Sequence, residues 1–418
     1  MKSRISNLKS EIPNPKSAIF NPKSAISNLK SEISNLKSSI SNPVAPLPKG
    51  WRWVRLGEVV RRQSSNSKLI KGRLSFSPDT GLFPAYSASG QDVWCAPAGQ
   101  NGTAIILSAV GARCGKCFLA TGQWSAIANT HIIWPDESLC DPEFLWRMLN
   151  NEDFWIKDQA IQPFVQVGAT LNKPIPLPPL SEQKRIAAIL EEQLAAVDKA
   201  RAAAQARLEA VKTLPAAFLR QVFPQPGALL PKGWRSVRLG EVCAIQNGFA
   251  FESDRFHLTA GVPLIRIRDL KTNQPSIKYN GEADQSYLVH AGDLLIGMDG
   301  EFRAYLWEGP GALLNQRVCR LFPETDRLNV GFLQYALDEY LREIEERTGF
   351  TTVKHISSRD IAGICIPLPP LAQQKRIAGM LREKLAAVDK ARAAAEEELV
   401  TVNTLPASLL RRAFNGEL

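Results

Sequence analysis

The sequence predicts an α+β protein in which two pseudo-two-fold-related mixed α/β domains are joined by two long antiparallel coiled-coil helices. The first observation is a 49-residue stretch, Ile175 to Phe223, that returns without gaps at Ile366 to Phe414 with 33 identical residues. The second is the segment Leu47 to Val60, of which 12 of 14 residues return at Leu230 to Cys243. The chain is therefore a duplicated unit made of an opening signature, a long middle and a helix.

Each copy of the 49-residue stretch is predicted to form a long helix. Its proline-rich start cannot lie in a helix interior, so the first helix is expected to begin at about Ser181. It should run to about Lys212, a length of roughly 48 Å at about 1.5 Å per residue. Pro215 and Pro406 are expected to stop the two helices at the same point.

A coiled-coil seam follows from residues spaced alternately by four and three in both helices. An ordinary buried amphipathic helix would explain one copy, but two copies at a domain-sized separation favour an intramolecular pair. Both seams carry an arginine and an alanine at matching places, so we expect the helices to pack closely near the alanines. The seam positions are Leu190, Leu194, Val197, Arg201, Ala204, Leu208 and Val211 in the first helix and Leu381, Leu385, Val388, Arg392, Ala395, Leu399 and Val402 in the second.

Bulk composition is that of a globular, reduced protein. The 418 residues are 44% hydrophobic and leave room for two or three domains with their own cores. No run of eighteen apolar residues and no apolar leader is present, so neither a membrane span nor a secretion signal is expected. Seven scattered cysteines indicate the cytoplasm. Half of the net charge of +10 lies in residues 1–46, so net charge alone supports nucleic-acid binding only weakly.

Residues 5–43 of the tail 1–46 form a low-complexity heptapeptide repeat, beginning ISNLKSE, IPNPKSA, IFNPKSA. A coiled coil is excluded because Pro15 and Pro22 occupy the positions of an apolar seam. We expect a disordered tail.

The two middles, residues 61–174 and 244–365, share little sequence but the same outline of strands followed by an amphipathic helix. The predicted strands are Thr103 to Val110 and Thr130 to Trp134 in the first middle, and Pro263 to Ile267, Asp293 to Met298 and Arg317 to Phe322 in the second. The predicted helices are Pro142 to Lys157 and Val330 to Arg347.

These features predict five regions. They are the tail at 1–46, the first mixed domain at 47–174, the first long helix and linker at 175–229, the second mixed domain at 230–365, and the second long helix with the C-terminus at 366–418.

No catalytic constellation is found in the sequence. A DNA amino-methyltransferase needs a glycine-rich cofactor loop and an Asn/Asp-Pro-Pro-aromatic tetrad, and neither is present. The loop GARCGKC from Gly111 is one residue too short for a phosphate loop. Cys114 and Cys117 form a lone CxxC without a second ligand pair, which favours free thiols over zinc. The letters from Glu182 to Lys184 match a nuclease Glu-x-Lys, but they lie at a helix start.

Recognition chemistry remains, carried by basic and amide side chains in both middles. RRQSSNSKLIKGR in the first middle is basic without an acid, and IRIRDLK in the second predicts two arginines on one face of a strand. Such residues suit contacts with phosphates and base edges, although a solvated surface would explain any one of them. The candidates are Arg61, Arg62, Lys68, Lys71, Arg73, Arg266, Arg268, Lys271, Asn315, Gln316 and Arg317.

From Leu47 to Phe414 the chain resembles the specificity subunits of type I restriction-modification systems. The resemblance rests on the duplicated unit, on the two IPLPPLxxQKRI helix starts, and on GFAF from Gly248, AGDLLIGMDGEF from Ala291 and LNQRV from Leu314. It implies that each middle is a target recognition domain reading one half of a bipartite DNA site, and that the helices hold the domains apart and dock two methyltransferase subunits. Restriction and translocase subunits would join for cleavage, and S-adenosylmethionine, ATP and Mg²⁺ would be bound by these partners and not by this chain.

Two other interpretations stay open. A coiled-coil adaptor without a DNA role would share the repeated helices, and a nuclease or methyltransferase acting alone would need the missing motifs. Because the two middles differ, the DNA-reading interpretation predicts an asymmetric target.

Overall fold

The computed structural model of the protein describes residues 47–158, 162–225, 227–347 and 354–418. The predicted disordered tail, residues 1–46, lies outside the described residues. The described chain divides into two compact units, one reaching Ala195 and including Pro406–Leu418, and the other formed by Ala196–Leu405. Each unit contains one mixed domain together with part of each long helix.

The first mixed domain is made of short strands with small helices between them, and it leads into the first long helix. Its elements are β1 (Arg52–Arg55), β2 (Val60–Ser64), β3 (Phe83–Ser87), β4 (Gly90–Cys95), β5 (Gln100–Asn101), β6 (Ala104–Ser108), β7 (Cys117–Ala120), β8 (Gln123–Ala126), β9 (Thr130–Pro135), α1 (Pro142–Leu149), β10 (Lys157–Asp158), β11 (Phe164–Val165), α2 (Val167–Thr170), β12 (Pro174–Leu177) and α3 (Leu180–Val222).

Two four-stranded sheets form the body of the first domain. One is antiparallel throughout, in the order β2-β9-β6-β7, and the other has the order β4-β3-β8-β5 with β3 and β8 parallel. Side chains alternate across the antiparallel sheet. Ile105 and Ile133 pack into the core that contains α1, whereas Ile106 and Ile132 pack against Trp124 of the other sheet.

Helix α1 ends eight residues before the predicted end at Lys157. Asn150 follows its last residue and accepts a hydrogen bond from the Cys117 backbone N–H at 3.1 Å. The Trp155 indole N–H donates to the Leu149 carbonyl at 2.9 Å, so the chain turns back onto the helix end. Asn is a poor helix former, and here it caps the helix.

The second mixed domain is also made of short strands and helices, and it leads into the second long helix. Its elements are β13 (Arg235–Arg238), β14 (Cys243–Asn247), β15 (Phe256–His257), β16 (Val262–Ile265), α4 (Ile267–Leu270), β17 (Ile277–Tyr279), β18 (Leu288–Val289), β19 (Leu294–Gly297), β20 (Ala304–Leu306), β21 (Ala312–Leu314), β22 (Val318–Pro323), α5 (Val330–Arg347), α6 (Ser358–Gly363), β23 (Cys365–Leu368) and α7 (Leu371–Phe414).

The two domains share one frame despite their different sequences. The antiparallel sheet of the second domain has the order β14-β22-β19-β20, which repeats β2-β9-β6-β7 position for position. Its other sheet, β15-β17-β16-β21-β18, again contains one parallel pair, β16 with β21. Helix α5 has the predicted bounds, which confirms that prediction. The α+β fold class predicted from the duplication is therefore confirmed.

The long helices α3 and α7 continue past Pro215 and Pro406, so the prediction that these prolines stop them was wrong. A proline removes one backbone hydrogen bond and disfavours a helix interior. Here the segments after the prolines are held by apolar contacts: Phe218 and Phe223 join the core of the second unit, and Ala413 joins that of the first. Tertiary packing of an apolar face outweighs the local cost. Among the described helices none is both long and apolar enough to cross a membrane.

The two long helices run antiparallel. In the second unit, Arg201 Nε donates to Asn403 Oδ1 at 2.8 Å and Arg207 Nη1 donates to Glu398 Oε2 at 2.5 Å. Moving forward along α3 from Arg201 to Arg207 therefore means moving backward along α7 from Asn403 to Glu398. Arg207 and Glu398 occupy the same position of the two 49-residue copies. In the first unit, Arg185 Nη2, near the start of α3, donates at 2.6 Å to the carbonyl of Leu418, which follows the end of α7.

The predicted seam residues lie along this pairing with unequal burial. Fully or nearly buried are Leu190, Val197, Ala204, Leu208, Leu381, Val388 and Ala395. Partly buried are Leu194, Arg201, Val211, Leu385, Leu399 and Val402, and Arg392 is exposed. Both alanines are buried, as close packing at those positions requires.

A buried glutamine ties each mixed domain to the start of its long helix. Gln183 is fully buried, accepts from the Asp141 N–H at 2.8 Å, and donates to the Leu139 and Pro178 carbonyls at 3.0 and 2.9 Å. The oxygen and the nitrogen of this side-chain amide are therefore both hydrogen-bonded to the main chain. The connection fixes the loop before α1 onto α3.

Gln374 repeats this network in the second unit. It accepts from the Asn329 N–H at 2.8 Å and donates to the Arg327 and Pro369 carbonyls at 2.9 and 2.8 Å. Both glutamines therefore hydrogen-bond to main-chain groups of the loop that precedes a domain's amphipathic helix. Because the bonded groups belong to the main chain, the same connection forms in both domains although the loop sequences differ.

Candidate nucleic-acid interface

In the second domain, the carboxyl ends of the parallel strand pair form an edge at which several predicted side chains meet. Ile265 is in register with Leu314, so Arg266 and Asn315 follow side by side. Gln316 and Arg317 continue from Asn315, and both are exposed. The structure thus brings four of the predicted DNA contacts to one edge of one sheet.

The predicted strand through Arg266 and Arg268 was wrong. Strand β16 ends at Ile265, and Arg266 precedes the short helix α4, which contains Arg268 and ends just before Lys271. Buried Asp269 explains the change, because its Oδ2 accepts from the Arg266 N–H at 3.0 Å and caps the helix. Arg268 and Lys271 are both exposed.

The predicted contacts of the first domain are more scattered. Arg61 and Arg62 lie in the edge strand β2 and point to opposite faces, since they pair with Trp134 and Ile133 in the antiparallel register. Arg61 lies over the Trp134 ring, 5.6 Å from its centroid, an exposed cation–π contact. Burial lowers the pKa of His131, and the positive charge of Arg62 lowers it further.

Lys68 lies next to the segment that follows β8, at the corresponding strand edge of the first domain. The next residue, Leu69, accepts a backbone hydrogen bond from Ala128, two residues beyond the end of β8. Lys71 forms an ion pair with Asp92 of β4, and Arg73 is exposed two residues later. Of these cations, Lys71 is partly neutralised by its partner, whereas Lys68 and Arg73 are exposed to solvent.

Arg320 is a structural residue that the sequence did not single out. It is 7% exposed, donates to Asp293 Oδ2 at 3.1 Å, to Gln246 Oε1 at 2.8 Å and to the Leu288 and Ser286 carbonyls at 2.8 Å. These bonds use the fork of the guanidinium to join the antiparallel sheet to the second sheet. Arg320 therefore fixes β22, the strand that follows Arg317, to β14 and β18.

The cysteines do not form a metal centre in the described part of the chain. Cys114 and Cys117 are free, buried thiols, and burial raises the pKa of Cys117. Among the described residues no group of three or more His, Cys, Asp or Glu side chains is placed to hold a metal ion. Glu182, the first letter of the nuclease-like triplet, lies in the first turn of α3, where a hydrogen bond from Arg185 lowers the pKa of its carboxyl. That placement supports a helix-start role.

Comparison with known proteins agrees with this architecture. The specificity subunit of the type I restriction enzyme EcoBI of Escherichia coli is 42% identical over 186 residues, covering 44% of this chain and 39% of that protein. That of StySPI of Salmonella potsdam is 28% identical over 294 residues, 61% of each chain. The matched region thus spans less than two thirds of both of these relatives. That of EcoDI of Escherichia coli is 24% identical over 425 residues, 89% of each.

Solved structures match over more of the chain. The HsdS subunit from Thermoanaerobacter tengcongensis aligns with a TM-score of 0.62 and 26% identity, covering 90% of this chain and all of that chain. A chain from a structure of the assembly and conformational transition of the type I R-M system aligns with a TM-score of 0.71, 26% identity and the same coverage. The family model of the type I restriction modification DNA specificity domain matches twice, at residues 48–209 and 231–395, once for each repeat. This chain therefore belongs to the type I restriction-modification DNA specificity family.

Proposed function

We propose that this chain is the sequence-recognition subunit of a type I restriction-modification complex and reads a bipartite, asymmetric DNA target with its two mixed domains. The observation that carries the proposal is that the two domains repeat one arrangement of strands but carry different side chains on it. Both domains combine an antiparallel sheet of the same strand order with a second sheet that has one parallel pair, but they place unlike side chains at the edge after that pair. Equivalent frames with unlike surfaces suit two different half-sites.

The edge of the second domain has the chemistry that DNA reading requires. Arg266, Asn315, Gln316 and Arg317 combine cations, which attract phosphates, with amide and guanidinium groups, which pair with adenine and guanine edges. Lys68, Arg73 and Arg61 supply positive charge in the first domain. The proposed role for these residues is direct contact with DNA.

The long helices supply the proposed docking surface for partner subunits. The eleven residues LAAVDKARAAA are identical at Leu194 to Ala204 and Leu385 to Ala395, and Lys199 and Lys390 are exposed in the two copies. Identical exposed residues on both helices support two equivalent sites, one for each of two methyltransferase subunits. Restriction and translocase subunits would join this assembly, and S-adenosylmethionine, ATP and Mg²⁺ would be bound by the partners.

The test is to map methylated adenines in the genome of cells that contain this chain and its partner methyltransferase. The expected result is one two-part sequence with unlike halves, which disappears when this chain is deleted. Methylation that is unaffected by the deletion would contradict the proposal. A chain that binds methyltransferase but gives the complex no sequence preference would identify a coiled-coil adaptor.

A further inference from the structure

A three-way junction of backbone lies beside the strand edge of the first domain. Ala109, just after β6, donates its N–H to the Asn129 carbonyl and accepts a hydrogen bond from Val165, both at 2.9 Å. The next residue, Val110, forms an antiparallel bridge with Phe164. Three separate segments of the domain are thereby fixed to one another.

The second domain contains the same junction, built from unrelated residues. Met298, just after β19, donates its N–H to the Arg317 carbonyl and accepts from Ile356, again both at 2.9 Å. Asp299 forms an antiparallel bridge with His355. A glycine with positive φ follows in each domain, Gly111 at 98° and Gly300 at 79°. The backbone is therefore equivalent position by position.

The side chains at these equivalent positions differ in chemistry. Val110 corresponds to Asp299, Asn129 to Arg317, and Phe164 to His355. Asn129 and Arg317 are exposed, and the Phe164 side chain is exposed as well, although phenylalanine is normally buried. One junction thus presents an amide and an aromatic ring, and the other presents a guanidinium, an imidazole and a carboxylate.

Asp299 holds the two other side chains of its junction. Its Oδ2 lies 3.4 Å from Arg317 Nε, and its Oδ1 lies 2.6 Å from His355 Nδ1. The Asp299 side chain is 20% exposed and that of Arg317 is 56% exposed, so the carboxylate lies behind the guanidinium. The loop itself is anchored by fully buried Phe302, whose N–H donates to Glu345 Oε2 at 3.2 Å. Asp299 can therefore orient Arg317 without leaving the junction.

We propose that the residues at this junction determine which bases each domain selects, with Asn129 reading adenine in one half-site, Arg317 reading guanine in the other, and Asp299 positioning Arg317. The inference rests on the proposed function. Asn pairs bidentately with adenine and Arg with guanine in the major groove, and an exposed ring such as Phe164 suits contact with a thymine methyl group. Because each set lies on a separate domain, each affects one half-site only.

The test is selection from a pool of random duplex DNA, with the full chain bound to its partner methyltransferase. The variants are Asn129→Asp, Arg317→Lys, Arg317→Gln and Asp299→Asn. Asn129 has φ 68°, a conformation that aspartate also tolerates, so that variant changes the hydrogen-bonding chemistry and spares the backbone. Arg327→Gln is the matched control: Arg327 is also a half-exposed arginine paired with a carboxylate, Glu324, but it lies beyond the opposite end of strand β22.

The expected result is a change at one base position of one half-site for each variant, with the other half unchanged. Discrimination at that position should fall by roughly 5- to 150-fold, the range for loss of one bidentate contact. Arg317→Gln should lose the guanine preference, whereas Arg317→Lys, which keeps the charge but not the fork of the guanidinium, should keep the salt dependence of binding and weaken that preference. Asp299→Asn should relax the same position as Arg317→Gln without lowering the melting temperature, which separates positioning from folding.

An unchanged preference in both Arg317→Lys and Arg317→Gln, with Arg317→Gln weakening the binding of all sequences equally, would identify a phosphate contact and overturn the inference. So would a preference that no variant alters, or one that Arg327→Gln alters equally. A wild-type complex that enriches no sequence would overturn the proposed function and this inference together.

Discussion

Replacing Gln374 by methionine tests the connection between a mixed domain and its helix. The substitution keeps the length and shape of the side chain and removes all three hydrogen bonds of its amide. The Asn329 N–H and the Arg327 and Pro369 carbonyls then lose their buried partner. Each buried polar group left unpaired costs about 1–3 kcal/mol, and carbonyls have a second lone pair, so the loss is about 3 to 5 kcal/mol in total.

Hydrogen–deuterium exchange measured by mass spectrometry is the appropriate assay, because a two-unit chain need not unfold in one step. A loss of about 3 to 5 kcal/mol should speed exchange of the most protected amides in β19 and β22 by roughly 150- to 5,000-fold. Peptides of β6 and β9 in the first domain report whether the effect stays in its own unit. Gln183→Met should give the reverse pattern.

Gln373→Met is the control, since this neighbouring glutamine is only partly buried. It should change protection by less than about tenfold, as most substitutions away from buried polar networks do. If Gln374→Met behaved like Gln373→Met, the buried amide would contribute nothing beyond its volume, and the reasoning from unpaired backbone groups would be refuted.

Three further predictions concern thiols, prolines and the helix pair. At pH 8 a thiol reagent should label Cys365 first, because it is the exposed cysteine, whereas burial raises the pKa of Cys243 and Cys319 to about 12 and leaves roughly one such thiol in ten thousand ionised; rapid labelling of several thiols in the native chain would contradict this. Pro215→Ala and Pro406→Ala should each raise stability by about 1 to 3 kcal/mol in denaturant titrations, since each restores a helix hydrogen bond; a loss of stability would show that a bend at the proline is needed for packing. A double-mutant cycle on Arg207 and Glu398, with side chains 59% and 41% exposed, should give a coupling of about 0.5 kcal/mol that fades in high salt; a coupling above about 2 kcal/mol would mean that the pair is desolvated.

The elements that were predicted from sequence are those in which one periodic pattern dominates. Helix α5 is a long amphipathic segment with an apolar face, and its bounds follow from that pattern alone. The letters IRIRD alternate like a strand, but buried Asp269 caps a helix there, and no local pattern reveals that a carboxylate is buried. The prolines in the long helices follow a local rule that distant apolar contacts overrule.

The buried glutamines have a signal of their own in the sequence. Gln183, Ile186 and Leu190 are spaced by three and four, so the glutamine lies on the apolar face of its helix, and the same holds for Gln374. A polar residue at a core position, repeated in both copies, predicts a buried hydrogen-bond network. The junction of Asp299, Arg317 and His355 could not be found in this way, because it joins three segments that only the strand order brings together.

The central claim is that each mixed domain reads its own half of the DNA target independently. It is tested most directly by replacing residues 61–174 with the corresponding segment of a related specificity subunit and mapping methylated adenines again. The account predicts a new sequence in one half of the target, with the other half unchanged. Changes in both halves, or in neither, would contradict it.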